Sequence, residues 1–381
     1  MSNQKLKKVI VHRQHPGHPW IFSNEIIKAE EGIDPGDVVK VEEGKKTIGS
    51  GFYNPHSLIA IRLFSTTEQN FNEKFLSERL KNAFISRTGM GSSFRLVHSE
   101  SDGLPGLVID KYNDLYVIQI NSLGMEKNKD LLFRVLIDEY KPAGIYEKSE
   151  ETLRKIEGLE IINRVVYGKI PELVEIEQDG FKFLVDIING QKTGFFFDQR
   201  ENRKKISRFA WGEILDCFCY TGGFSIYSAK KGNTNGIDIS EPAVELAKRN
   251  ALLNNLKCNF LVEDVFVALR KFYNEKRSFD TIILDPPSFT KSKKKKYQAL
   301  RGYKEINLMA MKLLNKVGIL FTSSCSYHIS HNEFITMLRE AAADAKREFL
   351  VIDTGRQAND HPVLLNFPEG NYLKSVILKA V

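Results

Sequence analysis

The chain has 381 residues, with 55 Lys and Arg against 48 Asp and Glu for a net charge of +7; 42% of its residues are apolar and 27% are charged. That composition excludes a disordered, collagen-like or membrane-embedded protein, and at about 150 residues per domain the length calls for two or three domains. No apolar run approaches the roughly 18 residues that span a bilayer, and the first eight residues lack the apolar stretch of a secretory signal, so the expected location is the cytoplasm. The four cysteines, Cys217, Cys219, Cys258 and Cys325, are too few for a disulfide scaffold. Cys217 and Cys219 are separated by one residue where zinc and redox pairs have two or more, so free thiols and no metal are expected.

In chain order, residues 1 to about 70 hold short β-branched runs (Val9 to Val11, Val38 to Val41, Ile59 to Phe64) punctuated by Gly and Pro, which predicts a small all-β barrel. Phe71, Phe75, Leu76, Leu80, Ala83 and Phe84 recur at helical spacing, which predicts a connecting helix. Strands around Leu107 to Asp110 and Leu115 to Ile120, a helix near Lys127 to Glu139 and a hairpin turning at Gln178-Asp-Gly180 predict a middle α+β unit. From Gly212 onward strands and helices alternate. Strands ending in Asp216, Asp238, Val262, Leu284 and Thr322 are followed by helices starting near Phe224, Pro242, Val265, Gln298 and His331. That alternation predicts a doubly wound, mostly parallel α/β sheet with ligands at the carboxyl ends of its strands. Phe349 to Ile352 and Leu373 to Leu378, with no helix between them, predict an antiparallel edge. The boundaries fall at 1–72, 73–187 and 188–381.

Three acids stand at successive strand tips. Asp216 precedes Cys-Phe-Cys-Tyr-Thr-Gly-Gly, whose glycines allow close backbone approach to a ligand. The run is neither Gly-x-Gly-x-x-Gly nor a Walker loop, so a cationic guest fits better than a polyphosphate. Asp238 is placed to accept the two hydroxyls of a ribose, and Glu263-Asp264 to accept an adenine amine. An amino acid, a ribose and an adenine without phosphate describe S-adenosylmethionine. Any one of these acids by itself is as readily a helix cap or a solvated loop residue.

The fourth strand closes with Asp285-Pro-Pro-Ser-Phe289 and the fifth with Thr322-Ser-Ser-Cys-Ser-Tyr-His328. Pro286 and Pro287 stiffen a platform for a flat base. Carbon C5 of a pyrimidine is not nucleophilic until a thiolate adds at C6, and that chemistry needs a cysteine beside an acid. Cys325 is the candidate thiol, Asp285 the acid at ring N3, Phe289 a stacking surface, and His328 one candidate for the base that removes the C5 proton. Lys291 to Lys296 would lay a cationic strip beside an RNA backbone, although most lysine runs are simply solvated.

These residues resemble the RlmI-type family of class I S-adenosylmethionine-dependent ribosomal RNA large-subunit methyltransferases. The resemblance covers essentially the whole chain and rests on His18-Pro-Trp-Ile-Phe-Ser23, Ser101-Asp-Gly-Leu-Pro-Gly-Leu107, Asn189 to Arg200, Leu215 to Phe224, Asp285 to Phe289 and Ser323 to His328. It implies a PUA RNA-binding domain, a middle strand-strand-helix-strand-strand domain and a Rossmann-like catalytic domain that forms 5-methylcytosine in 23S rRNA. It also implies Cys325 as nucleophile and Asp285 as acid, with Gln199, Arg200, Asp216, Tyr220, Gly222, Asp238 and Asp264 at the cofactor. The substrate side takes Pro286, Pro287, Phe289 and Lys291. Pro287 stands where related cytosine methyltransferases carry a second cysteine, so one thiol must serve. Free or early-precursor rRNA and a homodimer are the expected partners. The rival readings are N-methylation of an exocyclic guanine amine, which needs no thiol, and a noncatalytic ribosome-assembly factor.

Overall fold

The structure, a computed structural model, describes residues 5–290 and 293–381. Lys291 and Ser292, and with them the start of the lysine strip, lie outside the described residues. The chain divides into two compact units: one runs up to Ile176 and adds Asp186–Phe195 and Asn359–Gly370, and the other comprises Glu177–Val185, Phe196–Ala358 and Asn371–Val381.

In the first unit, strands Trp20–Phe22, Ile59–Ser65, Lys46–Tyr53, Val38–Glu43, Lys8–Val11 and Ile26–Ala29 form one six-stranded sheet in that order. Alternating residues Val9, Val11, Ile21, Val39, Val41 and Ile61 make its core. The helix Glu73–Ser86 is capped by Asn72, whose side chain accepts from the Phe75 amide at 3.0 Å, and it buries Phe75, Leu76, Leu80 and Ala83. A five-stranded sheet follows, in the order Asn163–Gly168, Gly144–Lys148, Leu115–Ile120, Leu107–Tyr112, Ser93–His98. Arg62 ties this unit together by ion-pairing Glu100 at 3.1 Å and Glu157 at 3.0 Å. Residues 359–370 join this unit although they lie far along the sequence. Asp360 accepts from the Arg95 amide at 3.0 Å and its carbonyl accepts from Arg87 at 3.1 Å, anchors invisible to a reading of local patterns.

The second unit is built on a seven-stranded sheet. Its strands are β1 (Gly212–Cys217), β2 (Gly232–Asp238), β3 (Cys258–Val262), β4 (Phe279–Leu284), β5 (Leu314–Ser324), β6 (Phe349–Arg356) and β7 (Lys374–Ala380), in the order β3-β2-β1-β4-β5-β7-β6. The first five are parallel; β7 runs antiparallel to both β5 and β6. The helices are α1 (Arg200–Phe209), α2 (Gly223–Ser228), α3 (Glu241–Leu253), α4 (Val265–Asn274), α5 (Lys296–Leu313) and α6 (His331–Ala345). This is a Rossmann-like fold, and the strand order reverses between β1 and β4, the switch point where α/β sheets bind their ligands. Both faces are covered. Ile282, Leu284 and Leu320 face α5 and α6, whereas Ile214, Ile283 and Phe321 face Ile206 of α1. No helix among the described residues is long and apolar enough to cross a membrane.

Helix α1 escapes the sequence reading. Its buried residues are Arg200, Asn202, Arg203 and Ile206, with Gln199 buried just before it, so the helical period is written mostly in polar residues. A search for apolar periodicity passes over it.

Candidate functional site

At the tip of β1 the chain turns through three left-handed residues, Phe218 (φ +63°), Tyr220 (φ +49°) and Gly222 (φ +82°). For two aromatic residues that conformation is strained, and such strain persists only when the surroundings over-determine it. Here the Tyr220 amide donates to Asp238 Oδ2 at 2.9 Å, and the Cys219 amide donates to the Ile237 carbonyl at 3.0 Å. A Cβ on Gly223 would stand 2.7 Å from Nε of Arg203, so the turn must be glycine to pass over that side chain.

Asp216 is fully buried beneath this turn. Its Oδ2 accepts from the Ser225 hydroxyl at 2.6 Å, and Oδ1 has no hydrogen-bond partner among the described residues. Burial pushes its pKa up to about 7; the Ser225 hydrogen bond opposes the shift and the neighbouring Asp285 charge adds to it. The positive charge that compensates this pair of acids is Arg203, itself fully buried, with its guanidinium over the Phe224 ring at 5.7 Å and in the field of Asp198, Asp285 and Asp216. An unpartnered buried carboxylate oxygen beneath a glycine turn suits a ligand that brings a cation.

Asp238 and Asp264 stand at the neighbouring tips. Asp238 accepts from the amides of Tyr220 and Ser240, both at 2.9 Å. Asp264 caps α4 by accepting from the Val267 amide at 3.0 Å. Arg200 is turned to the hairpin, where its Nη2 lies 2.6 Å from Asp179, whose other oxygen accepts from Tyr227 at 2.7 Å.

Gln199 reaches Asp285. A chain of hydrogen bonds crosses three strand ends: Ser375 donates to Asn202 Oδ1 at 3.0 Å, Asn202 to Gln199 Oε1 at 2.6 Å, and Gln199 to Asp285 Oδ1 at 2.6 Å. The Ser323 hydroxyl donates to the same Asp285 oxygen. A Cβ on Gly355 would lie 2.0 Å from Asn202 Oδ1, so a glycine on β6 makes room for the buried amide. Asp285 therefore holds a fixed orientation two residues in register from Cys325.

Cys325 follows the last residue of β5 and is half-buried, between Ser324 and Ser326, which are fully buried. The Ser326 hydroxyl meets those of Ser288 and Tyr303, each at 2.9 Å, and the Ser326 carbonyl accepts from Lys374 Nζ at 2.9 Å. Burial pushes the Cys217 and Cys219 thiols well up, which disfavours either as a thiolate. Pro286 is buried and Pro287 exposed. Phe289, half-buried, packs on Tyr303 (4.6 Å between ring centroids) and Phe266 (6.0 Å). His328 is half-buried beside Tyr327. Lys294 and Lys295 are exposed, and Lys296 pairs with Glu333. Asn202, Arg203, Tyr303 and Lys374 go unmarked in the sequence reading; the polar helical stripe of α1 is the signal that would have found the first two. Replacing Asn202 by Ala strands two buried polar partners and should cost about 1–3 kcal/mol by urea denaturation; a loss below about 0.5 kcal/mol would contradict the relay.

Comparison with known proteins gives the family and the fold. Residues 161–361 match the family of S-adenosylmethionine-dependent methyltransferases, and residues 5–66 match a PUA-like domain. The chain is 40% identical to ribosomal RNA large subunit methyltransferase I of Pseudoalteromonas atlantica over 96% of this chain and 98% of that protein. It is 41% identical to the same-named protein of Aeromonas hydrophila over 95% of each. The fold matches a Streptococcus mutans structure assigned as a SAM-dependent methyltransferase (TM-score 0.83, 21% identity, 98% of this chain and 99% of that one). With two fifths of its residues shared along nearly its entire length, the chain belongs to the ribosomal RNA large subunit methyltransferase I family, enzymes that methylate ribosomal RNA with S-adenosylmethionine.

Proposed function

We propose that the enzyme methylates C5 of a cytosine in 23S rRNA through a covalent bond between Cys325 Sγ and C6 of the base. The observation that carries this reading is the adjacency of β4 and β5. Leu284 pairs with Thr322, so Asp285 and Cys325 leave neighbouring strand tips, and Ser323 bonds to Asp285 between them. A guanine-amine transfer needs the acid but not a half-exposed thiol beside it.

In this scheme Asp216, Tyr220, Gly222, Asp238 and Asp264 hold the cofactor, and the unpartnered Asp216 oxygen is the acceptor for its cationic end. Gln199 and Arg200 support the site from behind, by orienting Asp285 and by fixing the hairpin at Asp179. When bound, S-adenosylmethionine supplies the methyl group as an electrophilic carbon. The Cys325 thiolate adds to C6, and the ring electrons move toward N3, where Asp285 in its protonated form donates a hydrogen bond. C5 is thereby the carbon of an enamine. Once C5 carries the methyl, a base takes its remaining proton, the C5–C6 double bond returns and the Cys325 sulfur leaves. His328 is the candidate base. Pro286 and Pro287 border the base, and Lys291 with the lysines after it meets the RNA backbone. A strand-tip pocket admits an unstacked base, which favours free or early-precursor rRNA. The division at 1–72, 73–187 and 188–381 gives RNA capture to the PUA-like part and chemistry to the last. A homodimer working in the cytoplasm completes the reading.

Two predictions follow from these roles. Cys325→Ala should lower turnover at least about 10³-fold and abolish the covalent complex with 5-fluorocytosine RNA, with S-adenosylmethionine binding intact by calorimetry. Retained turnover would favour the guanine-amine reading. Asp216 should give cofactor affinity a pH dependence. An unfolded Asp carboxyl titrates near 4 and this one at about 7, so the folded state binds the extra proton between those values. Its contribution to stability therefore falls as pH rises from about 4 to 7 and stays lost above, while affinity for a cationic ligand rises through pH 7. Asp216→Asn should raise the melting temperature of the ligand-free protein by about 2–4 °C and weaken cofactor binding at least about tenfold. Unchanged affinity would remove Asp216 from the cofactor site.

A further inference from the structure

Lys374 opens β7 opposite Ser324, the last residue of β5. It is 8% exposed, and its ammonium donates to the carbonyls of Ser326 at 2.9 Å and Tyr372 at 3.1 Å. A buried lysine normally sits against a carboxylate. Among the described residues no carboxylate ion-pairs with this one. Glu333, in the first turn of α6, is near enough to act on Lys374 electrostatically, but it is already ion-paired to Lys296 and bonded to Ser330. The other acidic group that acts on the ammonium is Cys325, whose following residue Lys374 holds.

We infer that Lys374 is the positioning residue for Cys325: its ammonium clamps the turn that carries the thiol and supplies the counter-charge that lets this thiol ionise. The inference deepens the reading of Cys325 as nucleophile and rests on it. When Cys325 loses its proton to solvent, Lys374 keeps its own, and the buried cation gains the partner that the fold otherwise denies it. The two carbonyls take two of its three N–H groups. The acids nearest the turn are Asp285, bonded to Ser323, and Asp198, bonded to Tyr372. The other titratable groups around the turn are Tyr303, pushed up to about 12 by burial, Glu333, held at about 2 by Lys296 and Ser330, and His328. Burial brings Lys374 down to about 8, and the Cys325 and Glu333 charges oppose that fall, so it is a cation across the neutral range.

The test is the pH profile of iodoacetamide alkylation on the full chain, with Cys325 resolved from Cys258 by peptide mass. In the wild type the Cys325 midpoint should lie below the free-thiol value of about 8.5. Lys374→Gln keeps a hydrogen-bond donor and removes the charge; it should raise the midpoint by at least about one pH unit, as should Lys374→Met. Lys374→Arg should hold it near the wild-type value. A Gln midpoint equal to wild type overturns the inference, as does an Arg midpoint as high as that of Gln, which would assign the effect to the clamp alone. Because alkylation needs no RNA, the result is separable from the cytosine reading. A midpoint that responds to Lys374 without any 5-fluorocytosine adduct would sink the nucleophile and leave the ion pair. An adduct with no midpoint response would do the reverse.

Discussion

The second unit depends on one uncomfortable arrangement: two acids at adjacent strand tips, the fully buried Asp216 and the half-buried Asp285, with the buried Arg203 acting on both. Burying a charge is tolerable only when it is paired and hydrogen-bonded. The fold answers with Arg203 from α1, with Ser225 on Asp216, and with Gln199 and Ser323 on Asp285. Helix α1 thus contributes a polar face to a hydrophobic sheet, and Gly223 and Gly355 are small because Arg203 and Asn202 occupy the space their side chains would take. One oxygen of Asp216 has no hydrogen-bond partner among the described residues, and a ligand that brings a cation would satisfy it.

The same economy governs the thiol. Cys325 sits just beyond the hydrogen-bonded end of β5, and its neighbours are pinned by Ser288, Tyr303 and Lys374 from three different elements. A half-buried group on a rigid turn loses little entropy on meeting its substrate, and effective concentration rather than intrinsic reactivity then does much of the catalysis. The strained left-handed turn at Phe218 to Gly222 is the counterpart on the cofactor side, held by Asp238.

Much of this was legible in the sequence. Strand tips can be read because a parallel strand buried on both faces is a continuous apolar run, so the first polar residue after it marks the ligand side; Asp216 and Asp285 are found this way, and Cys325 lies just past such a tip. The antiparallel edge of β6 and β7 follows from the absence of a helix between them. What could not be read is long-range polar pairing. Gln199 and Arg200 share a motif but face different partners, Asp285 and Asp179, which only the turn into α1 decides. The ring contacts of Phe289 with Tyr303 and Phe266 join separate elements and leave no local pattern. Lys374 lies about fifty residues from Cys325, and only the antiparallel register of β5 with β7 brings them together.

The account's central claim is that a thiol and an acid on neighbouring strands direct the methyl group to a ring carbon. The most direct measurement is nucleoside mass spectrometry of undermethylated 23S rRNA after incubation with the purified enzyme and S-adenosylmethionine carrying a labelled methyl group. The label should appear in 5-methylcytidine. Label recovered in an N-methylated guanosine, with none in cytidine, would contradict the claim.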